Sequence, residues 1–298
     1  MTFGETHLAR LARAARSMRA PADPRLFQIA ALSSLLAFGV GARAFDVSGV
    51  DFFAALAGAL LAQRVGTFAF AAPFEVRSAL ITALSVTLLL RADGLAPIFI
   101  AALAAVASKF LLRARGKHIF NPANFGVVAA LLLAEPLGAS AWTTPGQWGS
   151  GLILATALAG AGAIVTSRAS RLDAPVIFLG AFAAMIYARA VWLGDPLTIP
   201  TLRLQSGALI LFAFFMISDP KTTPDAPRSR AAFLVFVAAL AYAGAYWLHE
   251  PDAAFYALAI ASLIRPAFEA FDRAPSYAWP QAPRVPSAHI PSARGDIA

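Results

Sequence analysis

Apolar residues occur in ten runs along the chain, separated by short stretches that carry most of its charged and turn-forming residues. Most of these runs approach the about 20 residues that a helix needs to cross the hydrocarbon core of a membrane. The runs around residues 52–62 and 120–134 are shorter, which favours tilted, re-entrant or broken helices. The pattern predicts an all-α polytopic membrane protein with about ten transmembrane helices. The runs lie at roughly 26–42, 50–63, 78–90, 95–112, 119–134, 148–166, 174–193, 203–217, 231–248 and 253–271.

The composition agrees with this pattern. Hydrophobic residues make up 59% of the 298 residues and charged residues only 13%, with a mean hydropathy of +0.68. Soluble domains average about 25% charged residues, so the composition argues against a soluble enzyme. The chain has no cysteine and only four histidines, which excludes disulfides and thiolate metal sites and argues against an imidazole cage. No metal site is therefore predicted.

The net charge of +8 is explained by membrane orientation. Lysine and arginine collect on the cytoplasmic side of short loops. With the N-terminus in the cytoplasm, all of the 24 lysines and arginines lie on the inner side except Arg43, Arg91, Arg189 and Arg203. The sequence therefore predicts a bacterial inner-membrane protein in contact with lipid, with both termini cytoplasmic, and it needs no nucleic acid to explain its basic charge.

Three segments follow from this arrangement. Residues 1–25 form a basic cytoplasmic N-terminal segment, residues 26–272 form the membrane domain, and residues 273–298 form a proline-rich cytoplasmic tail that is predicted to be disordered. Ten spans also divide into five plus five, and a duplication of five would give two inverted repeats. Helix count alone supports that repeat.

The first polar segment, residues 116–126, lies at a predicted cytoplasmic loop. Asn121 is suited to cap a helix whose first residue is Pro122, because proline needs no hydrogen-bond partner for its nitrogen there. A helix that begins at membrane depth also presents free N–H groups that attract anionic or carbonyl groups. An ordinary cap and a ligand site are both consistent with these residues. Asn124, an amide inside an apolar helix, needs a partner in either case.

The second polar segment, residues 214–224, contains Asp219 directly before Pro220. The residue before a proline leaves the helical region, so the eighth span ends here and places a carboxylate at the interface. That carboxylate is suited to a flavin or quinone edge, to a cation, or to a solvated pair with Lys221 or Arg228. The spacing does not decide among these alternatives.

The two segments together resemble the NqrB/RnfD family, the flavin-bearing membrane subunits of the Na⁺-translocating NADH:quinone reductase and of the Rnf electron-transport complex. The resemblance rests on residues 118–123 (HIFNPA) and 214–220 (FFMISDP), with lesser similarity at 76–84 and 260–269. It runs from about Asp23 to Asp272. It implies a fold of ten helices similar to that of urea transporters, and electron transfer through flavin, sometimes coupled to Na⁺ or H⁺.

The sequence departs from this family in one respect. Family members carry FMN joined to a threonine of a Ser-Gly-Ala-Thr loop between the fifth and sixth spans. Here the corresponding loop, residues 135–148, lacks that tetrad, and the later Ser206–Gly207–Ala208 is followed by Leu209. We therefore predict that covalent FMN is absent and that Thr143 and Thr144 are unmodified.

These inferences predict a membrane subunit of a flavin- or quinone-linked electron-transport complex that works with redox partner proteins. A non-covalent flavin, FMN or riboflavin, or a quinone would bind between helices. The sequence leaves open whether the subunit is itself catalytic. The alternatives are a small-solute channel or transporter on the same scaffold, and a scaffold that anchors soluble redox proteins. The predicted cofactor-binding residues are Lys117, His118, Asn121, Pro122, Asn124, Asp219, Thr222 and Thr223.

Overall fold

The structure is a computed structural model, and it describes residues 23–41, 47–114, 116–143, 151–271, 274–275 and 277. The predicted basic N-terminal segment and the predicted proline-rich tail lie almost entirely outside the described residues. Residues Pro24–Tyr277 form one compact unit.

Helices dominate the described residues, and each of the ten apolar runs coincides with a helical segment. The eighth run, 203–217, begins at the end of one helix, Thr198–Leu204, and continues through a second helix, Gly207–Leu211. The second helix leads into one π-helical turn, Phe212–Met216. The helices are α1 Pro24–Gly41, α2 Gly49–Ala69, α3 Val76–Leu89, α4 Leu95–Leu111, α5 Pro122–Leu133, α6 Gly151–Arg168, α7 Asp173–Leu193, α8 Thr198–Leu204, α9 Gly207–Leu211, α10 Pro227–Trp247 and α11 Ala253–Phe271.

Short strands tie some of the loops together. Strand β1 (Leu90–Ala92) pairs antiparallel with β4 (Ala141–Thr143), and this pairing brings the loop after α3 to the loop after α5. Strands β2 (Arg113–Ala114) and β3 (Lys117–His118) form a hairpin between α4 and α5. The hairpin turns at Gly116, whose φ of +81° is a conformation that glycine adopts without steric cost.

Helix α4 is the centre of the first half of the unit, because α2 and α5 both pack closely on it. Glycines allow this close approach. A Cβ added at Gly58 of α2 would lie 2.3 Å from the carbonyl oxygen of Phe99, and one added at Gly126 of α5 would lie 2.4 Å from that of Ala101. Small residues at such contacts are typical of helix packing in membranes, where backbones approach closely.

In the second half, α10 packs against α7 and α11, while the broken α8–α9 segment packs against α6 and α7. Aromatic rings fill the space between these helices. Phe212 lies 5.2 Å from the ring centroid of Phe178 and 5.5 Å from that of Phe255, so three helical segments share one aromatic cluster. Gly162 of α6 lies against Phe214, because a Cβ at this position would be 2.6 Å from the Phe214 side chain.

Five helices in the described part are long and apolar enough to cross a membrane: α1, α2, α7, α10 and α11. The α8–α9 pair, bent by 50°, makes a sixth if it is one span. An all-α membrane protein is thus confirmed, whereas a count of ten crossing helices and the two inverted repeats are not. The shorter apolar helices α3, α4 and α5 have 14, 17 and 12 residues, all below the about 20 residues of an average span.

The short run at 52–62 belongs to a full helix of 21 residues, because α2 continues through Gln63 and Arg64. The second short run is a short helix, since α5 has only 12 residues. Its first turn lies deep in the unit, as the contacts of Asn124 described below require.

Candidate functional site

The two polar segments singled out in the sequence meet in the structure. The Nδ2 atom of Asn121 donates to a carboxylate oxygen of Asp219 at 3.2 Å and to the carbonyl oxygen of Met216 at 3.4 Å. Asn121 precedes α5 and Asp219 follows the π-helical turn, so one amide joins two segments almost 100 residues apart along the chain. We call the residues around this contact the Asn121–Asp219 cluster: Lys117, His118, Asn121, Asn124, Asp219, Lys221 and Arg265.

Asn121 is also the N-cap of α5. Its side-chain oxygen accepts a hydrogen bond from the Asn124 N–H at 3.0 Å, and Pro122 occupies the first helical position. The Phe125 N–H is bonded to the Asn121 carbonyl. In the described part of the chain, this leaves the N–H of Ala123 as the donor of the first turn without an acceptor. The predicted N-cap is confirmed, and the N–H of Ala123 beside it has no described hydrogen-bond acceptor.

Asn124 is fully buried, and its two side-chain atoms differ in their environment. The Nδ2 atom donates to the Phe255 carbonyl of α11 at 3.1 Å, whereas Oδ1 has no hydrogen-bond partner among the described residues. A buried acceptor without a donor costs about 1–3 kcal/mol, so it marks either strain or a place where a ligand donates.

The start of α5 lies at depth along α11. Asn124 contacts Phe255 near the beginning of α11, and the carbonyl of His118 accepts from Arg265 ten residues later. Ten helical residues span roughly 15 Å, so the segment 118–124 descends about that distance into the helical unit. The positive end of the α5 dipole therefore points into a low-dielectric region, where its field is least screened.

Asp219 is held as a carboxylate by its neighbours. Burial opposes its ionisation, but the adjacent His118 imidazole, the Lys221 backbone N–H and the Asn121 amide favour the charge, and together they lower the pKa of Asp219 below its ordinary 3.8. The Lys221 N–H donates to Oδ1 at 2.9 Å, and Nε2 of His118 lies 3.8 Å from Oδ2. That imidazole nitrogen is buried and has no hydrogen-bond partner in the described part of the chain.

Thr222 and Thr223 are buried behind Asp219 rather than beside its carboxylate. Both hydroxyl groups donate to the Asp219 backbone carbonyl, at 3.3 and 3.0 Å. Their backbone N–H groups bond to the same carbonyl oxygen. The two threonines therefore fix the turn that presents Asp219, and the described contacts do not place their hydroxyls at the open groups of Asn124 and His118.

Lys117 makes an ion pair with Asp225, which the sequence reasoning did not include. Asp225 also lies 3.5 Å from Arg171 and accepts from the Tyr277 N–H at 3.1 Å, so it joins three segments of the chain. Burial, with the neighbouring charge of Arg230, lowers the pKa of Arg171. Lys117 thus belongs to the ion-pair network of Asp225, whereas the next residue, His118, lies beside Asp219.

Arg265 is the most informative residue that sequence reasoning missed. It is 1% exposed, and its guanidinium donates to the carbonyl of Lys221 at 3.1 Å and to that of His118 at 3.4 Å. Glu269, one turn later, lies 3.6 Å from its Nε. One side chain thus joins both polar segments to α11. An arginine within an apolar span is a signal for such a role, because charges there face the protein interior and pair with one another.

A second buried arginine, Arg230 of α10, binds the turn that follows Asp219. Arg230 donates to the Asp173 carboxylate at 2.7 Å and to the carbonyl oxygens of Pro224 and Asp225. Arginine supplies several donors in a fixed plane, which suits it to hold a turn through carbonyl oxygens. The turn after Asp219 is therefore held from both sides, by Arg230 and by Arg265.

The sequence predicts that neither Thr143 nor Thr144 carries covalent FMN. Thr143 is described, and its hydroxyl donates to the Asp252 carboxylate across the end of β4. Thr144 lies outside the described residues. The absence of covalent FMN stays a prediction.

The cluster combines an open acceptor at Asn124, an open donor at Ala123, an imidazole at His118 and the N-terminus of α5. These groups suit a planar ligand whose edge carries both an N–H and a carbonyl, which is the pattern of the flavin ring. The carboxylate of Asp219 is already engaged with Asn121 and Lys221, so it orients the cluster rather than offering a free charge.

Comparison with known proteins confirms the family resemblance. Residues 143–277 match the model of the NQR2, RnfD, RnfE family. Three relatives are each named as a component of an ion-translocating oxidoreductase complex. The protein of Ectopseudomonas mendocina is 31% identical over 135 residues, which cover 44% of this chain and 39% of the relative. That of Citrobacter koseri is 30% identical over 110 residues, covering 37% and 31%. That of Vibrio vulnificus is 24% identical over 152 residues, covering 51% and 42%.

The aligned segments thus span less than half of the length of these curated relatives. The matched region of the chain, from residue 143, includes Asp219, Asp225 and Arg265 but not Asn121. The contact between Asn121 and Asp219 is therefore an observation of the structure that this match does not contain.

Proposed function

We propose that this member of the NQR2, RnfD, RnfE family is a membrane subunit of an ion-translocating electron-transport complex and that it binds a flavin without a covalent bond at the Asn121–Asp219 cluster. The name shared by the three relatives supports the first part. The geometry of the cluster supports the second. Redox proteins that deliver and accept electrons would be its partners.

One observation carries the cofactor proposal: the Oδ1 atom of Asn124 is a fully buried acceptor to which no described residue donates. The N–H at the edge of a flavin ring would satisfy it, and the neighbouring ring carbonyl would accept from the open N–H of Ala123. An oxidised quinone carries carbonyl groups but no donor, so it would satisfy Ala123 and leave Asn124 unpaired. The cluster therefore favours a flavin over a quinone.

The electrostatics of the cluster suit a ring that gains negative charge. A bound flavin would supply one- and two-electron transfer. The N-terminus of α5 favours negative charge beside it, and the dipole is little screened at this depth. The Nε2 atom of His118, 3.8 Å from Asp219 Oδ2, would be a further polar group beside the ring. These residues position and stabilise the ligand, while the electrons come from a partner.

We also propose that the chain crosses the inner membrane ten times with both termini in the cytoplasm. Polar contacts between loops support the alternation. The loops after α2, α4, α6 and α9 are predicted on the inner side, and contacts such as Lys117–Asp225 and Arg171–Asp225 join them to one another. The loops after α3, α5, α7 and α10 are predicted on the outer side, where β1 pairs with β4 and Thr143 contacts Asp252. Helices α1–α5 and α6–α11 would then be the two five-span halves, related as inverted repeats.

The cofactor proposal is tested on protein purified in nanodiscs. We expect a flavin absorbance spectrum close to one flavin per chain, with the flavin released into the supernatant by acid precipitation, as a non-covalent cofactor is. Asn124→Leu should lose most of the flavin, because it removes the open acceptor. Thr87→Val is the matched control, because it removes a buried hydroxyl from α3, far from the cluster along the chain, and should retain the flavin.

Two results would overturn the cofactor proposal. One is wild-type protein without flavin that conducts small solutes in liposomes, which favours a channel on the same scaffold. The other is a flavin content that Asn124→Leu leaves unchanged. Flavin that stays with the acid-precipitated protein would instead overturn the prediction that covalent attachment is absent.

A further inference from the structure

A second site lies at the other end of α10. Arg230, in the Asn121–Asp219 region, is eleven residues before Ala241, a distance of roughly 16 Å along the helix. Around Ala241 lies a partly open cavity of about 170 Å³. The side chains that define its chemistry are Trp142, Phe182, Arg203, Phe212, Asp252 and Phe255.

The size of the cavity limits what it holds. An apolar cavity of about 150 Å³ in another protein binds benzene, so about 170 Å³ suits one six-membered ring with a small substituent. The three-ring flavin system is too large for it. The cavity is therefore not a second copy of the proposed flavin site.

The walls of the cavity favour an aromatic ring. Phe182, Phe212 and Phe255 contribute three phenyl side chains, and alanines form much of the remainder. Aromatic pairs prefer offset or edge-to-face arrangements with centroids 4.5–7 Å apart, and Phe212 and Phe255 already adopt an edge-to-face arrangement at 5.5 Å. A ring inserted between such walls gains contacts of the same kind.

Two charged side chains of opposite sign line the same cavity. Arg203 donates to the Pro251 carbonyl at 3.4 Å, which uses one of its five donors. The Asp252 carboxylate accepts from the Thr143 hydroxyl through Oδ1 and interacts with the Thr143 backbone N–H, and its two oxygens retain further acceptor capacity. The pair therefore offers donors at Arg203 and acceptor oxygens at Asp252.

We propose that this cavity binds an uncharged single-ring aromatic compound that carries a hydroxyl group. A hydroxyl both donates and accepts, so it matches Asp252 and Arg203 at once. A carboxylate on the ligand would be repelled by Asp252, and an ammonium by Arg203, because side chains of both signs line the cavity. Burial raises the pKa of Asp252 above its ordinary 3.8, which shows that this carboxyl group lies in a poorly solvated position where a ligand hydroxyl is a valuable partner.

The test uses 4-fluorophenol and the ¹⁹F NMR signal of the ligand, with protein in nanodiscs and empty nanodiscs as the reference for partitioning into lipid. We expect saturable binding to the wild-type protein. The methyl ether 4-fluoroanisole has the same ring but no donor, and it should bind about tenfold more weakly, as the loss of one hydrogen bond to a charged group predicts.

Two variants of α10 form a matched pair. Ala241→Leu fills the cavity and should abolish saturable binding, whereas Ala239→Leu makes the same change on an exposed face of the same helix and should bind as the wild type does. Arg203→Leu should weaken 4-fluorophenol and 4-fluoroanisole alike, each about tenfold, because the oxygen atom of both ligands accepts from Arg203.

Any of three results would overturn this proposal: partitioning into lipid only, equal binding of the two ligands, or binding to Ala241→Leu that equals the wild type. Because these variants lie at the other end of α10, flavin content serves as an independent readout of folding. Loss of 4-fluorophenol binding with retained flavin separates this site from the Asn121–Asp219 cluster, and the test applies equally if the wild-type protein carries no flavin.

Discussion

Asn121 caps a helix and also makes a tertiary contact. Its side-chain oxygen caps α5 through the Asn124 N–H, and its side-chain nitrogen reaches Asp219 on a distant segment. A serine or threonine would cap the helix equally well but has a single polar atom for both tasks. The amide therefore couples the start of a helix to the tertiary contact on which the cluster depends.

Replacing this amide tests the coupling. Asn121→Ala should lower the free energy of unfolding by about 2–4 kcal/mol, since it removes a cap worth about 1 kcal/mol and a donor to a buried carboxylate worth about 1–3 kcal/mol. The measurement is unfolding by sodium dodecyl sulfate in mixed micelles. Ser48→Ala is the matched control, because Ser48 caps α2 at an exposed position, where its hydroxyl accepts from the Asp51 N–H. Equal losses for the two variants would contradict the bridging role.

The charge of Asp219 makes a separate prediction about pH. Its pKa in the folded protein is below the ordinary 3.8, so the folded state favours the carboxylate. The resulting stability is fully present above about pH 4 and is lost as the pH falls through the lowered pKa. Asp219→Asn should therefore melt at a lower temperature than the wild type at pH 7, and the difference should shrink below about pH 4.

The control for this pH dependence is Asp195→Asn. Asp195 pairs with Arg189 at 3.3 Å with both side chains about one third exposed, and such surface pairs contribute little. Its melting temperature should follow that of the wild type at each pH. A difference for Asp219→Asn that persists undiminished at low pH would mean that the charge of Asp219 does not stabilise the fold.

At the scale of elements, α4 holds the first half of the unit together through two glycines on its neighbours. Gly58 of α2 and Gly126 of α5 approach its backbone at Phe99 and Ala101. Without these close approaches the start of α5 would shift, and Asn121 and Asn124 would move with it. The position of the cluster therefore depends on helix packing as well as on its own hydrogen bonds.

Gly126→Ala tests this dependence. The added Cβ would lie 2.4 Å from the Ala101 carbonyl oxygen, so α5 must move, and we expect a loss of about 1–3 kcal/mol in the free energy of unfolding. Gly180→Ala in α7 has no atom within 4 Å of the new Cβ and should be neutral or stabilising by up to about 1 kcal/mol. Both are measured by the same mixed-micelle unfolding. A Gly126→Ala protein as stable as the wild type would show that α5 is free to shift.

Hydrophobic pattern predicted the positions of the helices well, because burial in lipid or protein demands apolar side chains wherever a helix runs. It misjudged where α2 ends, since Gln63 and Arg64 interrupt the apolar run but not the helix, and Gln63 instead donates to Thr67 one turn later. The π-helical turn at Phe212–Met216 has no signal in hydropathy.

The candidate site was predicted in part for a similar reason. Asn121, Asn124 and Asp219 stood out because polar groups beside a proline or within an apolar run need partners. The sequence did not say that they would be partners of one another, because a contact across almost 100 residues is set by packing. Arg265 was missed because its hydrogen bonds go to backbone carbonyl groups, which have no sequence signal. Asp225 was missed because its partners lie on segments that are distant along the chain.

For the whole molecule, the polar contacts between loops form two groups. Contacts of one group join loops that lysine and arginine placement assigns to the cytoplasm, including those of Lys117, Arg171 and Asp225. Contacts of the other group join loops assigned to the outer side, including the β1–β4 pairing and the contact of Thr143 with Asp252. The tertiary contacts thus group the loops in the same way as lysine and arginine placement does, which supports the proposed alternation.

The chain has no cysteine, so single cysteines introduced into exposed loops report this alternation directly. We expect Arg228→Cys and Arg113→Cys to react with a membrane-impermeant maleimide only after the cells are opened. Ser140→Cys and His249→Cys should react in intact cells. All four side chains are exposed, so accessibility within the protein does not limit the labelling. Because positions 113 and 228 flank the two halves of the Asn121–Asp219 cluster, labelling of these two from opposite sides of the membrane would contradict both the ten-span arrangement and the proposed flavin site.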